Sequence, residues 1–367
     1  MSLTVTNTTL QYRLSFATPA FLGNAQQQAQ WRTPPIKALI RQWWRVVKAP
    51  QVRFTVDELR AAEGRLFGTA SDDGAEKSHR SMLRLRLSDW DEGKLTSWPT
   101  GEQLEFHPEV GEQGRKVGAE LYLGYGPLGI QARQTNLNGI RDSDKRRTAI
   151  DDKASAELRL MFPVTYSEEL QRALQLVAWF GTLGSRSRNG WGALQMAHEH
   201  IKPLTRVNLE SLSVMRTLAD CLKEEWPHAI GKNDKGPLVW KTRVTGDWRQ
   251  VMKELARIKI AFRTQFKFES GRDGARIERR HVLAYPVTNH NPRAWGTQER
   301  LANQLRFKVA RTTDGKLEGV IVHLPCKVPD DLLHKLDVRD QQFIRTNELA
   351  VWQAVHAVLD NNATRLA

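Results

Sequence analysis

Cysteine is almost absent: Cys221 and Cys326 are the only two, far apart in the chain. That excludes a disulfide scaffold and a CxxC-type zinc site, and it fits a reducing cytoplasm. No apolar run approaches the roughly 18 residues that a membrane span requires, and no cleavable secretory signal is recognisable. Acids are missing from the first 56 residues, the first being Asp57, whereas Arg13, Arg32, Lys37, Arg41, Arg45, Lys48 and Arg53 are all basic. An acid-free, Arg-bearing start can mark an organelle transit peptide. Here it alternates like a strand and then carries a patterned helix, which is more folded structure than such peptides encode. No cofactor fingerprint is found, so no cofactor is expected.

What is present points to a polyanion. The 367 residues are 40% hydrophobic, with a mean hydropathy of −0.52, and suit a soluble globular protein of two domains or one large one. Lys and Arg number 55 against 41 Asp and Glu, a formal net charge of +14. The isoelectric point is about 9.9. Such a balance implies a polyanionic partner, nucleic acid first.

The hydrophobic pattern gives an order of elements. LQYRLSF at 10 to 16 alternates as a half-buried strand does. ATPAFLGN breaks it at Pro19 and Gly23, and a flexible Gln-rich loop follows. Thr33 is the expected N-cap of a helix to about Lys48, with Pro34 or Pro35 in its first turn. Ile36, Leu39, Ile40, Trp43 and Val47 form one face of it; Lys37, Arg41, Trp44 and Lys48 form another. SMLRLRL at 81 to 87 alternates again, with Arg84 and Arg86 on one face. Residues 88–153 read as an insertion rich in Gly, Pro and charge. ELRLMF at 157 to 162 is the next strand, 167–183 a strong helix, and GTLGSRSRNGWGAL at 181 to 194 a glycine-rich turn running into another strand. This βαββαβ order is that of a ferredoxin-like fold.

From about 201 a second α+β unit is expected. Trp248, Val251, Leu255, Ile258 and Phe262 make the inner face of one helix, and Arg249, Lys253 and Arg257 a stripe outside. HVLAYPV at 281 to 287, LRFKVAR at 305 to 311 and GVIVHL at 319 to 324 read as strands. A long helix covers roughly 342–360. The expected fold is therefore α+β with two ferredoxin-like (RRM-like) domains, 1–200 and 201–367, the first carrying the insertion at about 88–153.

Two of these motifs coincide in one unit: the TPAFLG turn leading to PPIKALIRQWWR, and GSRSRNGWG directly after the second helix. Together they resemble the RAMP superfamily of CRISPR proteins, and within it the first-subunit family of the type III-B (Cmr) effector complex. YLGYGPLG, HVLAYPVTNH and RLANQLRFKV are also similar to that family. The resemblance covers most of the chain in islands, of which the first helix is the most specific. It implies a non-catalytic, cytoplasmic subunit of a prokaryotic antiviral ribonucleoprotein. Its partners would be guide (CRISPR) RNA, near the guide's 3′ part, target RNA and neighbouring RAMP subunits, with no membrane.

The residues themselves suggest where RNA would lie. Gly184, Gly190 and Gly192 can let backbone N–H groups approach phosphate. Arg186 and Arg188 supply charge-assisted contacts, and Trp191 could stack on a base. The bland alternative is a plain turn that lets the helix pack on the sheet. On the first helix Lys37, Arg41 and Arg45 offer a cationic face, with Trp44 divided between base platform and core and Trp43 assigned to core. The stripe Arg249, Lys253 and Arg257 is a weaker candidate, since such stripes are usually just solvated. RDSDKRR at 141 to 147 reads as a mobile loop.

For catalysis little is seen. His198 and His200 could ligate a metal but show no third ligand. The alternative function, a metal-independent endoribonuclease maturing guide RNA, needs a general acid or base, and His79 is the best residual candidate. A second alternative is an interaction module that is basic because it meets an acidic protein surface.

Overall fold

The structure is a computed structural model, and it describes residues 6–70, 78–140, 144–270, 274 and 276–367. The fold is α+β, with sheets that are mostly antiparallel. Two compact units divide the chain, and not as two consecutive blocks. The first comprises Met1–Gly101, Gly124–Val214 and Lys308–Leu317; the second comprises Glu102–Leu123, Met215–Phe307 and Glu318–Ala367. The expected insertion at 88–153 is thus shared: 102–123 belongs to the second unit, and the rest stays with the first.

In the first unit the elements run β1 (Asn7–Phe16), α1 (Thr33–Lys48), α2 (Val56–Phe67), β2 (Arg84–Leu87), β3 (Ser155–Pro163), α3 (Ser167–Phe180) and β4 (Leu194–Ala197). The sheet order is β2-β3-β1-β4, with every neighbour antiparallel. Alternation sets the register, because a one-residue slip would turn the buried set outward. Tyr12, Leu14 and Phe16 of β1 and Ala156, Leu158, Leu160 and Phe162 of β3 point inward. Opposite ends of β1 pair Asn7 with Pro163 and Ser15 with Ser155. Ile36, Leu39, Ile40, Trp43 and Val47 of α1 complete the core with Leu170, Leu174, Val177 and Phe180 of α3. The rings of Trp43 and Phe180 lie 5.5 Å apart. Each such side chain contributes about 1.5–3 kcal/mol on leaving water.

The start of α1 differs from expectation. Thr33 is already helical; the N-cap is Arg32, in extended conformation, without a side-chain cap. Pro34 in the first turn reduces the need for a cap, since it has no N–H to satisfy.

The remaining elements of the chain include β5 (Val239–Lys241), α4 (Trp248–Thr264), β6 (Leu305–Arg311), β7 (Leu317–His323), α5 (Val338–Asn362) and β8 (Thr364–Arg365), of which Lys308–Leu317 fall in the first unit and the rest in the second. The sheet order is β6-β7-β5-β8. Second, third, first, fourth is therefore the strand sequence across both sheets. Asp247 and Asp337 cap α4 and α5 by accepting from the N–H groups of Arg249 and Asp340. Residues 281–287 are not a strand as expected. A short helix, Arg279–Leu283, occupies their start, because Glu278 and His281 form a reciprocal capping box. In the core, His323 bridges Gln304 and His356: Nε2 lies 3.2 Å from Gln304 Oε1 and Nδ1 2.9 Å from His356 Nε2. Gln304 Oε1 can only accept, so His323 Nε2 carries the proton and its Nδ1 accepts from His356. Among the described residues no helix is long and apolar enough to cross a membrane.

Candidate nucleic-acid interface

The cations of α1 do not stand free. Glu63, on α2, has a side chain only 6% exposed, and it receives both Arg41 and Arg45. Arg45 Nη2 donates to Glu63 Oε1 at 2.8 Å. Burial is the largest influence on this carboxyl and would raise its pKa. The hydrogen bonds from Arg45 and Arg41, with their charges, outweigh it and hold the carboxyl below its usual range. Lys37 Nζ donates to Phe67 O at 3.1 Å and Ser81 Oγ at 2.7 Å. Burial, then the neighbouring Arg41 charge, lowers its pKa. Lys48 pairs with Glu169 at the start of α3.

Trp44 needs correcting as a base platform. Its ring is 0% exposed, edge-on to Phe67 at 5.4 Å, and its Nε1 donates to Glu169 Oε2 at 3.1 Å. The acids missing from the first 56 residues are thus supplied from α2 and α3, and the helix face is largely a structural ion cluster. Arg41 and Arg45 keep side chains 41% and 43% exposed.

The glycine-rich turn is fastened to the loop after β1. Thr18 Oγ1 donates to Gly190 O at 2.8 Å and accepts from Ala193 N at 3.1 Å. Ser185 N–H donates to Phe21 O at 2.9 Å, and Gly192 N–H to Pro19 O at 3.0 Å. These contacts explain the glycines differently from the sequence reading. A Cβ on Gly184, at φ +93°, would come 2.6 Å from Phe21 O. One on Gly192 would come 1.9 Å from Leu183 O. The close approach is to protein backbone, and the N–H groups of Gly190 and Gly192 are spent on Ser187 O and Pro19 O. Trp191 is likewise corrected: at 0% exposure, packed on Phe21 and Trp98, it presents no face to a base. Nor is the Gln-rich loop slack, since Asn24 Oδ1 accepts from Gln26 and Gln28 N–H. What reaches solvent is the tip, with Ser185, Arg186 and Arg188 exposed.

A third cationic surface lies on the outward face of the sheet. In register, Arg86 of β2 stands opposite Arg159 of β3, which stands opposite Gln11 of β1. Arg84 and Arg13 share that face, and Arg13, Arg84, Arg86 and Arg159 are all exposed. Glu157 is also there, hydrogen-bonded by Gln11 Nε2 at 3.2 Å. Like charges placed directly across two strands destabilise a sheet by roughly 0.2–1 kcal/mol. The alternation of SMLRLRL shows Arg84 and Arg86 together, but their partner Arg159 appears only once the strands pair.

In the second unit the expected stripe breaks up. Arg249 is turned inward to the buried Glu120, Nε to Oε1 at 2.6 Å. Lys253 and Arg257 line a shallow cavity of about 540 Å³ with Arg243, Glu105 and Glu254. His79 is an exposed residue that bridges to Thr69. His198 is half-buried and His200 exposed, their rings 4.8 Å apart. Among the described residues no group of three or more His, Cys, Asp or Glu is placed to hold a metal ion. Residues 141–143 of RDSDKRR lie outside the described residues.

No protein-family model matches the chain, and no curated protein matches it in sequence. Among solved structures it is similar to Cmr1 from Pyrococcus furiosus, in its apo form, at 12% identity and a TM-score of 0.44, over 87% of this chain and 88% of that one. It is similar also to a chain of a type III-B Cmr-beta complex bound to cognate target RNA, at 11% identity and a TM-score of 0.42, over 95% of this chain and 99% of that one.

Proposed function

We propose that this chain is a non-catalytic RNA-binding subunit of a type III-B CRISPR RNA-guided effector. It would contact guide or target RNA near the 3′ part of the guide, beside neighbouring RAMP subunits. We read both units as ferredoxin-like, on the strand order they share. The observation that carries RNA binding is the pair Arg86 and Arg159, set opposite one another on an exposed sheet face. A phosphate backbone would relieve that repulsion, and the exposed Arg186 and Arg188 would extend the contact. The sequence islands TPAFLG, PPIKALIRQWWR and GSRSRNGWG supply the assignment to the family.

The test is binding of the full chain to a guide-like RNA of about 40 nucleotides across a salt series, with the products run on the same gel. Tight, salt-sensitive binding without cleavage is expected. Changing both Arg86 and Arg159 to Ala should lower the salt slope by about one to two, as phosphate contacts are lost. Cleavage would convert the assignment to an endoribonuclease. Binding that ignores salt would make the basic face a protein-docking surface.

A further inference from the structure

The ring exposed beside the glycine-rich turn is Tyr125, not Trp191. Trp191 lies under the chain at Gly124, where a Cβ would come within 2.9 Å of the indole Nε1. The next residue, Tyr125, is 68% exposed. Its backbone is nonetheless fixed. Tyr125 O accepts from Arg186 Nε at 2.6 Å. Gly126 O accepts from Asn138 Nδ2 at 3.1 Å and from Arg147 Nη1 at 3.4 Å, and Gly126 N–H donates to Leu128 O at 3.0 Å. Arg186 makes its contact from φ +58°, a conformation that few non-glycine residues adopt and that stores strain. An aromatic ring in water on a clamped backbone, beside the exposed Arg186 of a turn that also carries the exposed Arg188, has the makings of a single-strand site. Base stacking needs an open ring face and little ordering on binding, and phosphate contact needs cations alongside.

We propose that Tyr125 is the stacking platform for an unpaired RNA base at the glycine-rich turn, with Arg186 and Arg188 taking the flanking phosphates. This rests on the RNA-binding function proposed above.

The test uses the full chain, Tyr125→Ala and Tyr125→Phe, with two probes: a 20-nucleotide oligouridylate and an abasic ribose-phosphate polymer of the same length. Tyr125→Ala should weaken oligouridylate binding about 5- to 150-fold, the range for one stacked base. Abasic binding should stay unchanged, and Tyr125→Phe should behave as wild type. Equal affinity of wild type and Tyr125→Ala for oligouridylate overturns the platform, as does an equal loss on both probes. A lower melting temperature for Tyr125→Ala also counts against it, because it would give the ring a structural role. If the wild-type chain binds neither probe, the RNA-binding function itself fails, and the two failures are told apart.

Discussion

Lys308 is fully buried on β6, and its ammonium points at the last turn of α3, with Nζ 2.6 Å from Ala178 O. Burial lowers its pKa from 10.5 to about 7. Each unit of such a shift corresponds to about 1.36 kcal/mol, so carrying a proton-binding lysine into this core costs on the order of 5 kcal/mol at and below pH 7. The sign follows from proton counting. Between about pH 7 and 10.5 the unfolded chain binds the proton and the folded chain does not, so stability rises with pH across that window and this group adds no slope below it. Lys308→Met keeps the length and removes the charge. It forfeits the bond to Ala178 O and leaves that carbonyl unpartnered, a loss of about 1–3 kcal/mol. The variant should be more stable than wild type by about 2–4 kcal/mol at pH 6, and the advantage should vanish or reverse near pH 10. Urea unfolding of both proteins at pH 6, 8, 9 and 10 measures this, and the difference between them cancels every other titrating group. A variant less stable at pH 6, or a difference that does not change with pH, would refute the reasoning.

Glu63→Gln should lower stability by about 1–3 kcal/mol at pH 7, a figure kept small because both arginines remain partly hydrated. The loss should shrink in acid, since a carboxyl held below its usual range stabilises above that range and stops doing so as pH falls through its folded value. RNA affinity should not fall, because Arg41 and Arg45 are released. Gly184→Ala should lower the melting temperature and RNA binding together, from a Cβ 2.6 Å off Phe21 O and strain of about 1–3 kcal/mol. Burial, with the Arg365 charge, lowers His356 to about 3, so stability should drop as pH falls from about 6.5 toward 3. His356→Gln should lessen that slope in urea melts taken at pH 3.5 to 7, the buried His323, also held well below its usual range, supplying part of what remains.

The helices and long strands were legible because one period dominates each. Alternation in LQYRLSF found β1, and spacings of three and four found α1, α3 and α4. What the period could not show was who would face each outward residue. Lys308 sits on the nominally polar side of LRFKVAR, yet the C-terminal turn of α3 covers it. Arg41 and Arg45 read as an RNA face because Glu63 lies 18 residues beyond Arg45, on another helix. HVLAYPV looked like a strand because its apolar run is too short to distinguish the two periods, and the Glu278–His281 box decided for helix. Trp191 reads as a base platform from its place in the glycine run, but exposure is a property of the assembled loops.

The bond from Thr18 to Gly190 joins residues 172 apart in the chain. Closing so long a loop delivers its contacts late, after the entropy of the intervening chain has been given up. The turn that carries Arg186 is therefore shaped only when the loop after β1 lies beside it. A partly synthesised or partly unfolded chain has the arginines but not their arrangement. On the function proposed above, RNA binding at this turn would double as a check on finished folding, and an assay of it would report the integrity of residues far from it.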